Sequence, residues 1–214
     1  MTRERDLTTG TITTSLWLFA LPLMLGNVMQ QLYNLVDTWV VGRYIGDTAL
    51  AAVGSSYTIL TFLTSVVIGL CLGSSAFLSM AYGRRDTSVM RNGIFLSFST
   101  TGALSLCLML GFYLFLDPII RLLQVPQETF ADMHTYLFYV FFGFFATFLY
   151  NYFSNVLRGI GNSAIPLLFL AVSVGLNIGL DLYCVIVLHW GIMGAALATA
   201  AAQCVSGIGI TIYF

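Results

Sequence analysis

The sequence predicts an all-α integral membrane protein, a bundle of six transmembrane helices. Three observations carry that prediction. Of its 214 residues 58% are hydrophobic, and only 8% are charged, against roughly a quarter in an ordinary soluble domain. Mean hydropathy is +0.91. The apolar residues gather into six long segments cut apart by charges and turn residues, and ~20 residues suffice to cross a bilayer. A water-soluble globule needs more polar side chains than this chain has, so a soluble enzyme, a disordered tail and a secreted disulfide scaffold are excluded. Net charge is -1 and all eight basic residues are Arg, which leaves no basic footprint for nucleic acid. Cys71, Cys107, Cys184 and Cys204 lie inside apolar stretches without CxxC spacing, so they read as packing residues and no metal site is expected.

The first segment runs from about 14 to 41, between Arg3-Glu4-Arg5-Asp6 and the turn Gly42-Arg43-Tyr44-Ile45-Gly46-Asp47. It is too long for a signal-peptide core and lacks a small-residue cleavage site at its end. The second, 50–82, stops at Gly83-Arg84-Arg85-Asp86. The third, 94–116, ends at Asp117-Pro118, and an amphipathic approach from Arg121 to Asp132 leads into the fourth, 133–157. Gly159-Ile160-Gly161-Asn162-Ser163 makes the next turn. The fifth covers 165–188 and the sixth 193–214, with Trp190-Gly191 between them. The whole chain, 1–214, reads as one unit.

Six spans put both ends on one side of the membrane. That side carries Arg3, Arg5, Arg84, Arg85, Arg91 and Arg158, whereas the other carries only Arg43 and Arg121. The positive-inside rule therefore predicts a cytoplasmic N-terminus in a cell membrane.

Asp37 and Asp181 fall inside spans. A carboxylate in hydrocarbon costs several kcal/mol, so it faces protein or water and commonly serves ion or substrate traffic. Each belongs to a polar stripe. On the first helix Asn27, Gln30, Gln31, Asn34 and Asp37 recur at three- and four-residue steps, flanked by Tyr33. At about 100° per residue they occupy an arc of roughly 120°. On the fifth helix Ser173, Asn177 and Asp181 repeat every four residues, and on the sixth Thr199, Gln203 and Ser206 do likewise. A water-filled cavity between three such faces satisfies all of them. Asp181 stands ten residues before Gly191 and Thr199 eight after it, so antiparallel neighbours bring the two to a similar depth, ~12–15 Å from the outer end.

Two carboxyls at that depth suit a proton carrier. With nearby Asn and Thr oxygens they equally suit a hard cation such as Na⁺. The blander expectation for the Asn, Gln, Ser and Thr residues is hydrogen bonding between helices, and it competes at each of them. No Arg lies within a span to pair the acids. The Phe-rich run from Phe138 to Phe153 reads as packing and lipid-facing surface, and Gly69, Gly73, Ser74 and Ser75 as close-packing positions. Pro22 removes one backbone donor inside the first helix, which predicts a bend and a candidate hinge.

The run from Pro22 through Gly26-Asn27, Gln30-Gln31-Leu32-Tyr33-Asn34, Asp37-Thr38-Trp39 and Gly42-Arg43-Tyr44-Ile45-Gly46, followed by Ala49-Leu-Ala-Ala-Val-Gly54, resembles the opening of multidrug and toxic compound extrusion (MATE) transporters. Leu157-Arg-Gly-Ile-Gly-Asn162 is similar to the turn after that family's fourth helix. Asn177-Ile-Gly-Leu-Asp181 and Gly194-Ala-Ala-Leu-Ala-Thr199 resemble its fifth and sixth.

The resemblance implies one six-helix lobe of a twelve-helix antiporter that expels organic, often cationic, compounds in exchange for H⁺ or Na⁺. It implies no other cofactor and no catalytic residue. It also implies a second lobe, on the same product or another chain, so this chain is expected to be a fragment or half-transporter. The coupling network would fall on Asp37, Asp181, Asn177, Thr199, Tyr33 and Asn151, with Asn27, Gln30, Gln31, Asn34, Ser173 and Gln203 lining the cavity and Pro22 as hinge. Asn151 lies only seven residues before Arg158, deeper than Asp181. Two rivals compete with this expectation. A lipid or oligosaccharide flippase of related architecture needs basic groups to hold an anion, and the spans have none. An intramembrane aspartyl protease needs Gly-x-Gly-Asp, where this chain has Ile178-Gly179-Leu180-Asp181.

Overall fold

The computed structural model describes residues 12–214. Arg3 and Arg5, which contribute to the charge asymmetry, lie outside the described residues. The elements are α1 (Ile12–Tyr44), α2 (Asp47–Gly83), α3 (Thr87–Leu114), α4 (Leu116–Leu122), α5 (Gln127–Val140), a 3₁₀ turn (Phe141–Gly143), α6 (Phe144–Gly159), α7 (Ala164–Leu182), a π-helical turn (Tyr183–Val187) and α8 (Gly191–Tyr213). Among the described residues five helical stretches are long and apolar enough to cross a membrane: Asp47–Gly83, Thr87–Leu114, Gln127–Gly159, Ala164–Val187 and Gly191–Tyr213. The 33-residue α1 has the length to cross as well, at ~1.5 Å rise per residue. The protein is a multi-pass, all-helical membrane protein.

Several helix ends differ from those expected. The third span starts at Thr87 rather than 94 because the Asp86 side chain caps it, accepting the Val89 backbone N–H at 3.1 Å and the Ser88 hydroxyl at 2.8 Å. The approach to the fourth span splits into the short α4 and the first turn of α5, tied by His134 Nε2 to Asp117 at 3.4 Å. Between α1 and α2 the chain reverses at Gly46, whose φ of 130° favours a residue without a Cβ.

The middle of the bundle is α8, packed on α5, α6 and α7, while α2 packs on α3, α5 and α6, and α1 lies against α7 and α2. Small residues put α8 there. Gly194, Ala195, Ala196, Ala198, Ala200, Ala202 and Gly207 are buried, and a Cβ on Gly207 would overlap the Ala146 carbonyl of α6. Dispersion between closely approaching backbones, rather than water exclusion, is what holds such helices together in lipid. The Phe-rich stretch packs inward through Phe141, Phe144, Phe148 and Phe153 and outward through Phe138 and Phe142. Phe141 stacks on Phe112 with ring centres 3.7 Å apart. Close packing at Gly69 and Gly73 is not found, since the space beside each is open. Ser75 does meet α6, donating to the Asn155 carbonyl at 2.5 Å.

Candidate functional site

Helical periodicity delivers Asp37 to the buried side of α1, between the exposed Leu35 and Trp39. Asp181 sits at the end of α7, just before the π-helical turn, and irregular turns of this kind recur at functional sites. The two carboxyls are 6% and 0% exposed. They are near neighbours, with the Tyr136 phenol close to Asp37 and Asn177 close to Asp181. Thr199 of α8 gathers two further groups. Its Oγ1 accepts the Tyr33 hydroxyl at 3.3 Å and the Asn177 amide at 3.4 Å.

The cluster has more acceptors than donors. Asp37 Oδ1, both carboxylate oxygens of Asp181 and Asn177 Oδ1 are buried and receive no well-formed hydrogen bond. Ionised carboxylates only accept, so closeness between Asp37 and Asp181 satisfies neither unless something positive stands between them. A buried polar atom left unpaired costs about 1–3 kcal/mol, and a charged one more. An arrangement with a surplus of oxygen lone pairs fits a proton or a hard monovalent cation.

Beside the cluster opens a cavity of about 850 Å³. Gln30, Gln31, Tyr33, Asn34 and Asp37 line it from α1, Thr199 and Gln203 from α8. Two residues expected in that lining are absent from it. Ser173 spends its hydroxyl on the Ala202 carbonyl of α8 at 2.9 Å, the structural use that competes for any Ser in a membrane helix. Asn27 is exposed. At its level α1 presents Gly26 to Leu167 and Leu170 of α7, which turns the next residue ~100° away. Asn151 is half-buried, and its amide donates to the Thr147 carbonyl one turn back at 2.8 Å. No contact with either acid is found for it among the described residues. Pro22 lies inside α1, which continues through it; its missing N–H leaves the Leu18 carbonyl without its usual partner.

Other members of the site were not anticipated. Tyr136 reaches Asp37 from α5, hidden in an aromatic-rich run that gave no polar signal. Thr147 and the α2 residues Tyr57, Thr61, Thr64 and Ser65 also line the cavity. The α2 group repeats at three- and four-residue steps, so the stripe test applied to α1 would have found it.

Known proteins resemble the chain in sequence and in fold. The chain is 33% identical over 198 residues to "Probable multidrug resistance protein YpnP" of Bacillus subtilis (strain 168), covering 92% of this chain and 44% of the relative. It is 27% identical over 198 residues to "Multidrug export protein MepA" of Staphylococcus haemolyticus (strain JCSC1435), covering 92% and 43%. Among solved structures, a MATE in complex with MaL6 superposes with a TM-score of 0.91 at 26% identity, over 100% of this chain and 47% of that one. The chain thus spans a little under half the length of the relatives it matches. The MatE family profile matches residues 22–183, most of the helices that build the cluster, and the chain therefore belongs to the MatE family, one of transporters and not of enzymes.

Proposed function

We propose that the chain forms one lobe of a cation-coupled antiporter, which exports organic, often cationic, drugs or toxic compounds in exchange for H⁺ or Na⁺. The observation that carries it is the buried pair of Asp37 and Asp181 with unpartnered oxygens, of which Asp37 lines a cavity large enough for a small organic molecule. Competition between an organic cation and the coupling ion for these carboxyls supplies the exchange.

When the cavity opens outward, the pair takes up the coupling ion and its surplus acceptors are satisfied. Tyr33, Asn177 and Thr199 then reorganise with it, and α1 bends at Pro22, where one backbone bond is already missing. The cavity shrinks and the organic compound leaves. Ion uptake drives this only through its different affinity for the two conformations, drawing on about 2.3 kcal/mol per charge per 100 mV. The partner is a second six-helix lobe, and the site of action is the cell membrane with the N-terminus cytoplasmic. A flippase for lipid-linked anions is disfavoured, because the cavity lining offers carboxyl, amide and hydroxyl groups and no Arg.

The deciding experiment is ion-driven efflux of a fluorescent organic cation from membrane vesicles carrying the complete transporter. Asp37→Asn and Asp181→Asn should each abolish dependence on the imposed H⁺ or Na⁺ gradient. Coupling unchanged in both variants would overturn the proposal.

A further inference from the structure

The carboxyl pair lies toward one end of the bundle, and an exchanger must also discharge the ion toward the other. A file of polar side chains leads there along α6. Thr147 lines the cavity and donates to the Gly143 carbonyl at 3.1 Å. Asn151 donates to the Thr147 carbonyl at 2.8 Å, and Asn155 to the Asn151 carbonyl at 2.8 Å. Residues four apart share a helix face, so the three side chains stack on one line. From Thr147 to Gly159, the last residue of α6, the rise is ~18 Å, which takes the file from the cavity to the end of the bundle where the α2–α3 and α6–α7 turns lie.

The far end of this file is shut. Asn155 and Ser75 are 6% and 8% exposed. The Ser75 hydroxyl donates to the Asn155 carbonyl at 2.5 Å, and one turn on, a Cβ at Gly159 would stand 2.7 Å from Ser75 Oγ and 3.5 Å from Ser79 Cβ. The α2–α6 seam is therefore tight where the polar file reaches it. The Ser75 hydroxyl closes on the backbone carbonyl of the residue that carries the last polar side chain of the file. Polar side chains buried in a span are costly and commonly mark ion routes.

Resting on the exchange function proposed above, we propose that Thr147, Asn151 and Asn155 form the inner discharge route of the coupling cation, and that the Ser75–Asn155 contact between α2 and α6 is its gate. Each amide keeps a carbonyl oxygen for a passing cation or a water that carries a proton. Opening the route requires Ser75 to release the Asn155 carbonyl. A proton or a small monovalent ion fits such a file; the organic substrate, too wide for it, keeps to the cavity.

The test is gradient-driven efflux by the complete transporter carrying Asn155→Leu or Asn155→Ser, with Asp37→Asn as the reference. Plugging the file with Leu should lower the turnover roughly tenfold while leaving the apparent affinity for the fluorescent organic cation unchanged, and Ser should restore it, as expected where a polar group in the membrane serves an ion. If Asn155→Leu does not yield folded protein, Asn155→Cys is used instead, with Cys71, Cys107, Cys184 and Cys204 replaced by Ala. Labelling of the introduced thiol by a small cationic thiosulfonate should be faster from the side of the α6–α7 turn and should rise when Ser75→Ala is added. Asn155→Leu as active as wild type, or an Asn155→Cys thiol that stays unlabelled from that side with and without Ser75→Ala, overturns the route. If Asp37→Asn keeps its coupling too, it is the exchange function that fails; if only Asp37→Asn loses coupling, the route alone is wrong.

Discussion

The Tyr33 hydroxyl donates to Thr199 Oγ1 at 3.3 Å, joining α1 to α8 across 166 positions of sequence. The same oxygen takes the Asn177 amide from α7 at 3.4 Å, so one threonine hydroxyl ties together the three helices that carry the polar stripes. Asp37 lies one helical turn beyond Tyr33 and Asp181 one turn beyond Asn177. Whatever changes the charge on the acids therefore acts within one turn of both donors to Thr199. The residue that joins the three helices carries no charge itself.

Replacing Thr199 by Val keeps its shape and removes the acceptor. Tyr33 and Asn177 then both lose a partner in a buried site, at about 1–3 kcal/mol for each unsatisfied group. Tyr33→Phe removes the donor instead and leaves no buried orphan of its own, for about 0.5–1.5 kcal/mol. Thermal unfolding in detergent should rank Thr199→Val well below Tyr33→Phe, and equal midpoints would mean these long hydrogen bonds contribute nothing.

Neutralising the acids should have opposite effects on stability and on coupling. Both oxygens of Asp181 lack a donor, and among the described residues no basic group pairs them. Asp181→Asn removes a desolvated acid beside another acid and adds a donor for Asp37, which should raise the unfolding midpoint. Asp37→Asn should act in the same direction. The measurement is the unfolding midpoint without a coupling ion, beside gradient dependence of efflux. A variant that is both destabilised and fully coupled would contradict the role given to the pair.

How much of this was legible in the sequence depended on whether a signal was local. Asp37 and Asp181 stood out because a carboxylate in an apolar run has few explanations, and the four-residue spacing of Asn177 and Asp181 gave their shared face directly. The same periodicity misassigned Asn27 and Ser173. A stripe defines an arc about 120° wide, but not which edge of it a neighbouring helix covers. Tyr136 was invisible because an aromatic among aromatics carries no polar contrast. The 3₁₀ turn at Phe141–Gly143 lies where the Gln203 side chain of α8 comes close to Gly143, a tertiary neighbour that the local residues do not announce. The early start of α3 was legible after all in Asp86-Thr87-Ser88, but span ends drawn from hydropathy overlook caps.

Gly207 tests the packing of the central helix. A side chain there meets the Ala146 carbonyl, and backbone cannot rotate aside as a flexible side chain can. Gly207→Leu should therefore force α6 and α8 apart, at ~1–3 kcal/mol or more for overpacking. Gly175→Leu, at a position open to its surroundings, serves as control and should unfold close to wild type. Equal midpoints for the two would show that α8 does not depend on close approach.

Asp86 gives a pH dependence outside the membrane. The Val89 backbone N–H and the Ser88 hydroxyl hold its carboxyl below the ordinary carboxylate range, because both favour the ionised form. A group lowered in the folded state binds its proton more readily when unfolded. Its contribution to stability is therefore complete above the ordinary carboxylate range and disappears as pH falls through the lowered folded value. Asp86→Ala should melt below wild type at neutral pH, having lost the cap of α3, and the difference should shrink as acid protonates the wild-type carboxyl. Asp86→Asn, which retains an acceptor for Val89, should lie between the two at neutral pH and keep its midpoint relative to Asp86→Ala across the same acid range. A gap between wild type and Asp86→Ala that does not vary with pH would assign the stabilisation to the geometry of the cap alone and not to its charge.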